Sequence, residues 1–178
     1  IIDIGPASSH PDSTPVSAQT EIDRLTTIVP ALKALNIPIS IDSYQTQTQR
    51  WALQQNVDWM NDIHGFTDPA LYSDLAASDC RLVVMHAIQS AGAATRTAPP
   101  AGDIFDHICR FFDTRLTELT KAGIDQTRIV IDPGMGFFLG DTPEPSLTML
   151  ARIDELKKIF GLPLLVSVSR KSFLRALS

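Results

Sequence analysis

Residues 129–138 read IVIDPGMGFF: three apolar residues, then a carboxylate, then a Pro-Gly turn. A short apolar run closed by turn residues reads as a buried strand, which puts Asp132 at its C-terminal edge. A charge beside a core is costly unless it is paired, hydrogen-bonded or kept for chemistry. The same arrangement recurs along the chain. Strand candidates are Ile1 to Ile4, Ile39 to Ile41, Trp59 to Ile63, Leu82 to Met85, Ile129 to Ile131 and Leu164 to Val168. Their C-terminal edges carry Asp3, Asp42, Asn61 with Asp62, His86, Asp132, and Ser169 with Arg170 and Lys171.

Helical patterns fill the intervals. Ile22, Leu25, Val29, Leu32 and Leu35 keep helical spacing, with Pro30 expected to kink or restart that helix. Asp68 followed by Pro69 reads as an N-cap and first helical residue. Asp103 can cap a long helix with the stripe Ile104, Ile108, Phe112, Leu116 and Leu119, and Gly123 and Gly161 sit where helices end. Strands alternating with helices predict parallel βα units. A doubly wound sheet gathers ligand groups at one switch point, whereas a (β/α)8 barrel delivers one from every strand to a shared mouth. Polar groups at all six edges predict an α/β fold of the TIM (β/α)8 type.

Six strands fall short of eight. The chain starts with IIDIG inside an apparent strand and stops with SRKSFLRALS inside an apparent helix. It is therefore expected to be one barrel domain, residues 1–178, cut at both ends and covering about six βα units, strands 2–7. No linker or low-complexity stretch divides it.

The net charge of −5 and the lack of a Lys/Arg block speak against nucleic acid as a partner. No apolar run approaches the roughly 20 residues of a membrane span, so a soluble, cytoplasmic protein is the expectation. Cys80 and Cys109 stand apart without a C-x-x-C, which predicts free thiols and no zinc site. Zincin, serine-hydrolase, P-loop and dinucleotide motifs are missing from the sequence.

Asp42, Asn61 and Asp132 are the candidates for chemistry. Taken singly, each also reads as a cap or a buried amide. Together, two acceptors and an amide suit a flat heterocycle with an amine and an amide edge. Lys171 reads as a donor to a ring carbonyl, an anion contact or a Schiff-base lysine. Ser8, Ser9 and His10 follow the first strand, where they can meet phosphate or carboxylate. Met85, Phe137 and Phe138 are core residues or walls of a ring pocket. His86 reads as a structural hydrogen-bonder, and the glycines after Asp132 as points where backbone approaches a flat ring.

Taken in order, IIDIGPASSHPD, ISIDS, NDI, LVVMH, IVIDPGMGF and SVSRKS resemble the motifs of dihydropteroate synthases over residues 1–178. The chain most resembles the sulfonamide-resistant branch, in which NDI-x-GF, DPGMGFFL and SVSRKSFL stand as they do here. The resemblance implies a TIM barrel, a homodimer, and condensation of 4-aminobenzoate with 6-hydroxymethyl-7,8-dihydropterin diphosphate. It implies that Asp42, Asn61 and Asp132 hold the pterin's amine and amide edges and Lys171 its carbonyl side, with Ile63 and Met85 lining the slot. Asp42, Asp132 and Lys171 would be the catalytic set. Ser9, Pro11, Phe137, Ser169 and Arg170 would face the aminobenzoate, and Ser9 and His10 the diphosphate. Mg2+ would accompany that diphosphate with no metal ligand in this segment, and sulfonamides would compete with the aminobenzoate. Met135, Phe138 and Leu139 are then candidates for excluding the bulkier drug.

One departure stands out: Ser9-His10-Pro11 replaces the family's common Thr-Arg-Pro. The family's Asn on strand 1 and its Arg and His on strand 8 have no counterpart, so the 178-residue piece alone is expected to be inactive and poorly folded. Alternatives are a methyltetrahydrofolate-binding methyltransferase domain, which shares the Asp, Asn and Asp, an inactive pterin-binding homologue, and a Schiff-base aldolase.

Overall fold

The computed structural model describes residues 1–169, 171, 173 and 174. Five strands form one parallel sheet: β1 (Ile2–Ile4), β2 (Ile39–Asp42), β3 (Trp59–Asp62), β4 (Arg81–Met85) and β5 (Ile129–Asp132). Their spatial order is β1-β2-β3-β4-β5, the order of the chain. A doubly wound sheet reverses direction at its switch point. Monotonic order is that of a barrel wall, here an incomplete one.

The helices between the strands are α1 (Ala18–Ala34), α2 (Thr46–Gln54), α3 (Tyr72–Ala76), α4 (Ile104–Lys121), α5 (Glu144–Ala151) and α6 (Ile153–Phe160). Ser17 starts α1, its Oγ accepting from Thr20 N–H at 3.2 Å. Pro30 neither stops nor restarts this helix. Leu25 and Val29, wholly buried, anchor the turn that proline deprives of a hydrogen bond. Asp103 caps α4 by accepting from Phe105 N–H at 2.9 Å, and the whole predicted stripe of that helix is buried. Asp68 caps a 3-10 turn, Pro69–Leu71, rather than an α-helix.

One core lies between sheet and helices. Ile39 and Ile41, Met60, Leu82 and Val84, and Ile129 and Ile131 meet Leu25, Ala52, Leu75, Ile108, Phe112 and Leu119. Because side chains alternate along a strand, the residues between these point to the other face, the interior of the barrel wall.

The sixth predicted strand is not formed as one. The segment after Pro163 makes a single bridge, Leu164 to Ile131, closed by Ile131 N–H to Pro163 O and Leu165 N–H to Ile131 O, both 3.0 Å. Beyond it the backbone turns on itself, Val168 N–H reaching Val166 O. This segment has a partner along one edge only, and two bonds do not extend a ladder. No helix among the described residues is long and apolar enough to cross a membrane.

Phe112 is 0 % exposed and stacks edge-on against Phe111 and Phe160, with centroids 5.3 and 5.6 Å away. Phe112→Ala is expected to lower unfolding stability by about 3–5 kcal/mol. Urea denaturation of the two proteins measures this, and a loss below 1 kcal/mol would contradict the packing described.

Candidate functional site

Register decides which strand-end residues meet. Asp42 lies beside Asn61, Asn61 beside Val83, and Met85 beside Asp132. These residues share one face with Asp3, and all but Val83 line a cavity of about 150 Å3 at the C-terminal ends of the strands. Ser9, Ile63, Gly134, Met135, Phe138, Ser167 and Lys171 complete its wall. All six residues expected at the pterin, Asp42, Asn61, Ile63, Met85, Asp132 and Lys171, are therefore in one slot. A wider hollow of about 620 Å3 lies at the opposite ends of the strands, around Pro38, Trp59 and Arg81, where this architecture does not place catalytic groups.

Asp132 is 2 % exposed. Its Oδ1 accepts from Gly134 N–H at 2.8 Å, its Oδ2 stands 3.5 Å from Ser167 Oγ, and Lys171 is close enough to act on its charge. Burial outweighs those three favourable contacts and pushes its pKa up to about 6. Asp42 is pushed up to about 7, first by burial and then by the carboxylates of Asp3, Asp62, Glu21 and Asp132. Lys171 moves below the ordinary lysine range, because burial exceeds the attraction of Asp132 and Asp42. Its Nζ also lies 5.1 Å from the centroid of the Phe138 ring. Asn61 Oδ1 is buried with no hydrogen-bond partner among the described residues. Such an orphaned acceptor is unfavourable unless a ligand donor completes it.

Strand parity separates the remaining polar edges. Asp62, one residue past Asn61, faces the helices and is consumed structurally: its oxygens accept from Gln49 Nε2 at 2.9 Å and from the N–H groups of His64 and Phe66 at 2.8 and 3.0 Å. His86, one past Met85, turns toward His107 and Phe111 of α4 and holds Pro133 O through Nδ1 at 3.2 Å. Burial, helped by His107, drives its pKa down to about 3, so it stays neutral. The structural reading of His86 holds. At this edge β4 brings the apolar Met85 to the slot instead of a polar group, while the other edges bring Asp3, Asp42, Asn61, Asp132 and Lys171.

Gly134 lines the slot, and its backbone has a second constraint: a Cβ there would stand 2.4 Å from the His86 carbonyl oxygen, and its φ is +76°. The glycine lets the loop after β5 lie against the end of β4.

The residues expected at the aminobenzoate are not gathered in the same way. Ser9 lines the slot, whereas Phe137 lines an adjoining hollow of about 230 Å3 with Gly136, Gly140 and Phe173. Pro11 and Ser169 line neither, and Arg170 lies outside the described residues. His10 stands edge-on to Phe137, centroids 6.1 Å apart. Ser167 is the slot residue that sequence reasoning missed. Its signal was a single polar residue at inward parity in the apolar run 164–168.

A carboxyl whose pKa is raised by folding binds its proton more tightly folded than unfolded. Asp42 and Asp132 thus cost nothing below about pH 4, and their ionisation destabilises the empty protein progressively as the pH rises through 6 and 7. Asp42→Asn is expected to stabilise the empty protein at pH 8 by about 1–2 kcal/mol, allowing for solvent at the mouth, and by nothing measurable at pH 4. Thermal melts at the two pH values check it; equal effects at both would remove the electrostatic explanation.

Comparison with known proteins gives one consistent result. The family model described as "Pterin binding enzyme" matches residues 1–178. The chain is 59 % identical over 178 residues to dihydropteroate synthase type-2 of Escherichia coli, covering all of this chain and 65 % of that protein. It is 52 % identical over 177 residues to dihydropteroate synthase type-1 of Escherichia coli, covering 99 % of this chain and 63 % of that one. Among solved structures, the Thermus thermophilus dihydropteroate synthase in complex with 4-aminobenzoate superposes with a TM-score of 0.87 at 29 % identity, over 98 % of this chain and 65 % of that chain. This chain thus spans just under two thirds of the length of these relatives.

Proposed function

From a chain that belongs to the family of pterin binding enzymes, we propose a transferase activity for the full-length protein: condensation of 4-aminobenzoate with 6-hydroxymethyl-7,8-dihydropterin diphosphate, giving dihydropteroate and diphosphate. The observation that carries it is the slot holding Asp42, Asn61, Asp132 and Lys171 together, with the Asn61 side-chain carbonyl lacking a partner among the described residues. The likeness to synthases of types 1 and 2 over almost the whole chain supports the same reading.

In this reading the pterin's amine and ring N–H groups donate to Asp42, Asp132 and Asn61 Oδ1, and Lys171 donates to its carbonyl. Met85, Ile63 and Phe138 wall the ring. Departure of diphosphate from the exocyclic methylene spreads positive charge into the ring, and two desolvated carboxylates fixed beforehand stabilise that charge. The amine nitrogen of the aminobenzoate then attacks the methylene carbon and loses a proton. No protein nucleophile takes part, and Lys171 acts as a cation rather than as a Schiff base. Among the described residues no three carboxylate, imidazole or thiol groups stand where they could hold a metal ion together. Mg2+ would accompany the diphosphate and neutralise its charge as it leaves. Cys80 and Cys109 are free, and cytoplasmic work would keep them reduced.

Asp132→Asn is expected to lower kcat/KM about 100- to 1000-fold, by removing a charge that the cationic transition state needs. A full-length protein that forms no dihydropteroate from the two substrates would overturn the assignment. Binding of pterin diphosphate without turnover would favour an inactive homologue, and corrinoid-dependent methyl transfer a methyltransferase domain.

Insensitivity to sulfonamides belongs to the same proposal. Met135 and Phe138 line the slot and Leu139 is buried behind it. Bulk there can reject a drug larger than the aminobenzoate while sparing the substrate. The enzyme is expected to be inhibited by sulfamethoxazole at least about tenfold more weakly than its KM for aminobenzoate would suggest, and equal affinity would defeat the idea.

A further inference from the structure

Three loops meet at the mouth through contacts that the slot itself does not require. Asp12, in the loop 5–17 after β1, is gripped by Arg96 of the loop 86–103 after β4. The pair is two-pronged, Nη1 to Oδ1 at 2.5 Å and Nη2 to Oδ2 at 2.6 Å. Beside it, Ala94 N–H donates to Ser9 O at 3.1 Å. The Arg96 guanidinium also lies 5.5 Å from the centroid of Phe137, in the loop 133–143 after β5, and His10 meets the same ring edge-on. The backbone on either side of that ring is tied to the loop after β4: Gln89 Nε2 donates to Phe137 O and Ile88 N–H to Phe138 O, both at 2.9 Å.

Both partners of the ion pair are more than half exposed, with side-chain exposures of 53 % and 61 %. An isolated pair of that kind contributes little to stability. This one is not isolated, because the same guanidinium bonds to one loop and lies over an aromatic ring of another, while nearby Ala94 N–H holds Ser9 O. Its charge is matched to Asp12, so its action on a substrate runs through the groups it holds.

We propose that Arg96 is a positioning residue for the second substrate: through Asp12 and Phe137 it holds the loops after β1 and β5 together, and so places Ser9, His10 and Phe137 at the arylamine side of the slot. The proposal rests on the function assigned above. It also accounts for a charge question raised by the sequence. The loop after β1 offers only His10 where an arginine is common among the proteins it resembles, and Arg96 brings a permanent cation to that loop from another strand.

The test uses the full-length protein with Arg96→Gln, Asp12→Asn and the exchanged pair Asp12→Arg with Arg96→Asp. Hydrogen exchange at Ala94 and at residues 8–13 is read without substrates. Steady-state kinetics give KM for each substrate and kcat. Arg96→Gln and Asp12→Asn are each expected to speed exchange at Ala94 and to raise KM for 4-aminobenzoate about tenfold. KM for the pterin diphosphate should rise less than that for 4-aminobenzoate, since the ring slot is built mostly by strand ends and only Ser9 and His10, expected at its diphosphate, lie in the loop after β1. The exchanged pair should recover most of both losses. Arg96→Gln without an effect on the arylamine KM would overturn the proposal. So would a deficit that Asp12→Asn does not share and the exchanged pair does not repair, since Arg96 would then bind a substrate anion itself. If the unaltered protein makes no dihydropteroate, the functional reading falls, and the exchange measurements still decide whether Arg96 and Asp12 hold the loops.

Discussion

Parallel strands aligned in register leave little freedom over which residues face each other. Once Asp42 sits beside Asn61 and Met85 beside Asp132, every second residue of four strands is committed to the inner face and every other one to the helices. The hydrophobic demand of the helix side sets that parity. Ile39, Ile41, Met60, Val84 and Ile131 must be covered by the helices, so Asn61, Met85 and Asp132 must turn inward. A shift of one residue in a single strand would bury its polar end group among leucines. The site is thus held in place by the packing of the opposite face, which no ligand touches.

The same constraint explains why neighbouring carboxylates have different fates. Asp62 accepts three N–H donors and ties β3 to α2 and to the turn after it. Asp132, with one strong donor, and Asp42, with no side-chain hydrogen bond among the described residues, keep lone pairs free toward the slot. Their raised proton affinities measure what is missing: donors that a ligand brings. A buried carboxylate left short of partners destabilises the empty protein, and that unfavourable energy becomes available when a donor-rich ring arrives.

Much of this was legible in the sequence. Apolar runs of three to five residues, the Asp103 cap with its helical stripe, and polar residues at strand ends pointed to a parallel α/β wall with Asp42, Asn61, Asp132 and Lys171 at its mouth, and the family resemblance added Ile63 and Met85 to the proposed pterin slot. What was not legible has physical reasons. Strand 164–168 looks as good locally as any other, but a ladder needs a neighbour as well as a propensity, and only Leu164 finds one. Counting parity from Asn61 and Met85 turns Asp62 and His86 toward the helices, in keeping with their absence from the expected site residues. The constraint on Gly134 was not legible, because the carbonyl it must clear belongs to a residue 48 positions earlier and appears only when β4 and β5 pair.

Loops follow a different rule from strands, and the two halves of the mouth differ accordingly. The pterin side, Lys171 apart, is made of residues at or next to hydrogen-bonded strand ends, so its geometry comes with the sheet. The arylamine side is made of Ser9 and His10 in the connection 5–17 and Phe137 in the connection 133–143, both tied to the connection 86–103, and no repeating ladder orders them. Whatever positions these groups must come from contacts between loops, a few backbone hydrogen bonds and side chains that reach across, where single contacts are weak and only shared ones persist. Arg96 meets that requirement because one group can grip Asp12 through two nitrogens and lie over the Phe137 ring at the same time. A lysine at position 96 could match the charge but not both geometries, so the shape of the guanidinium, more than its charge, joins the loops to the rigid slot.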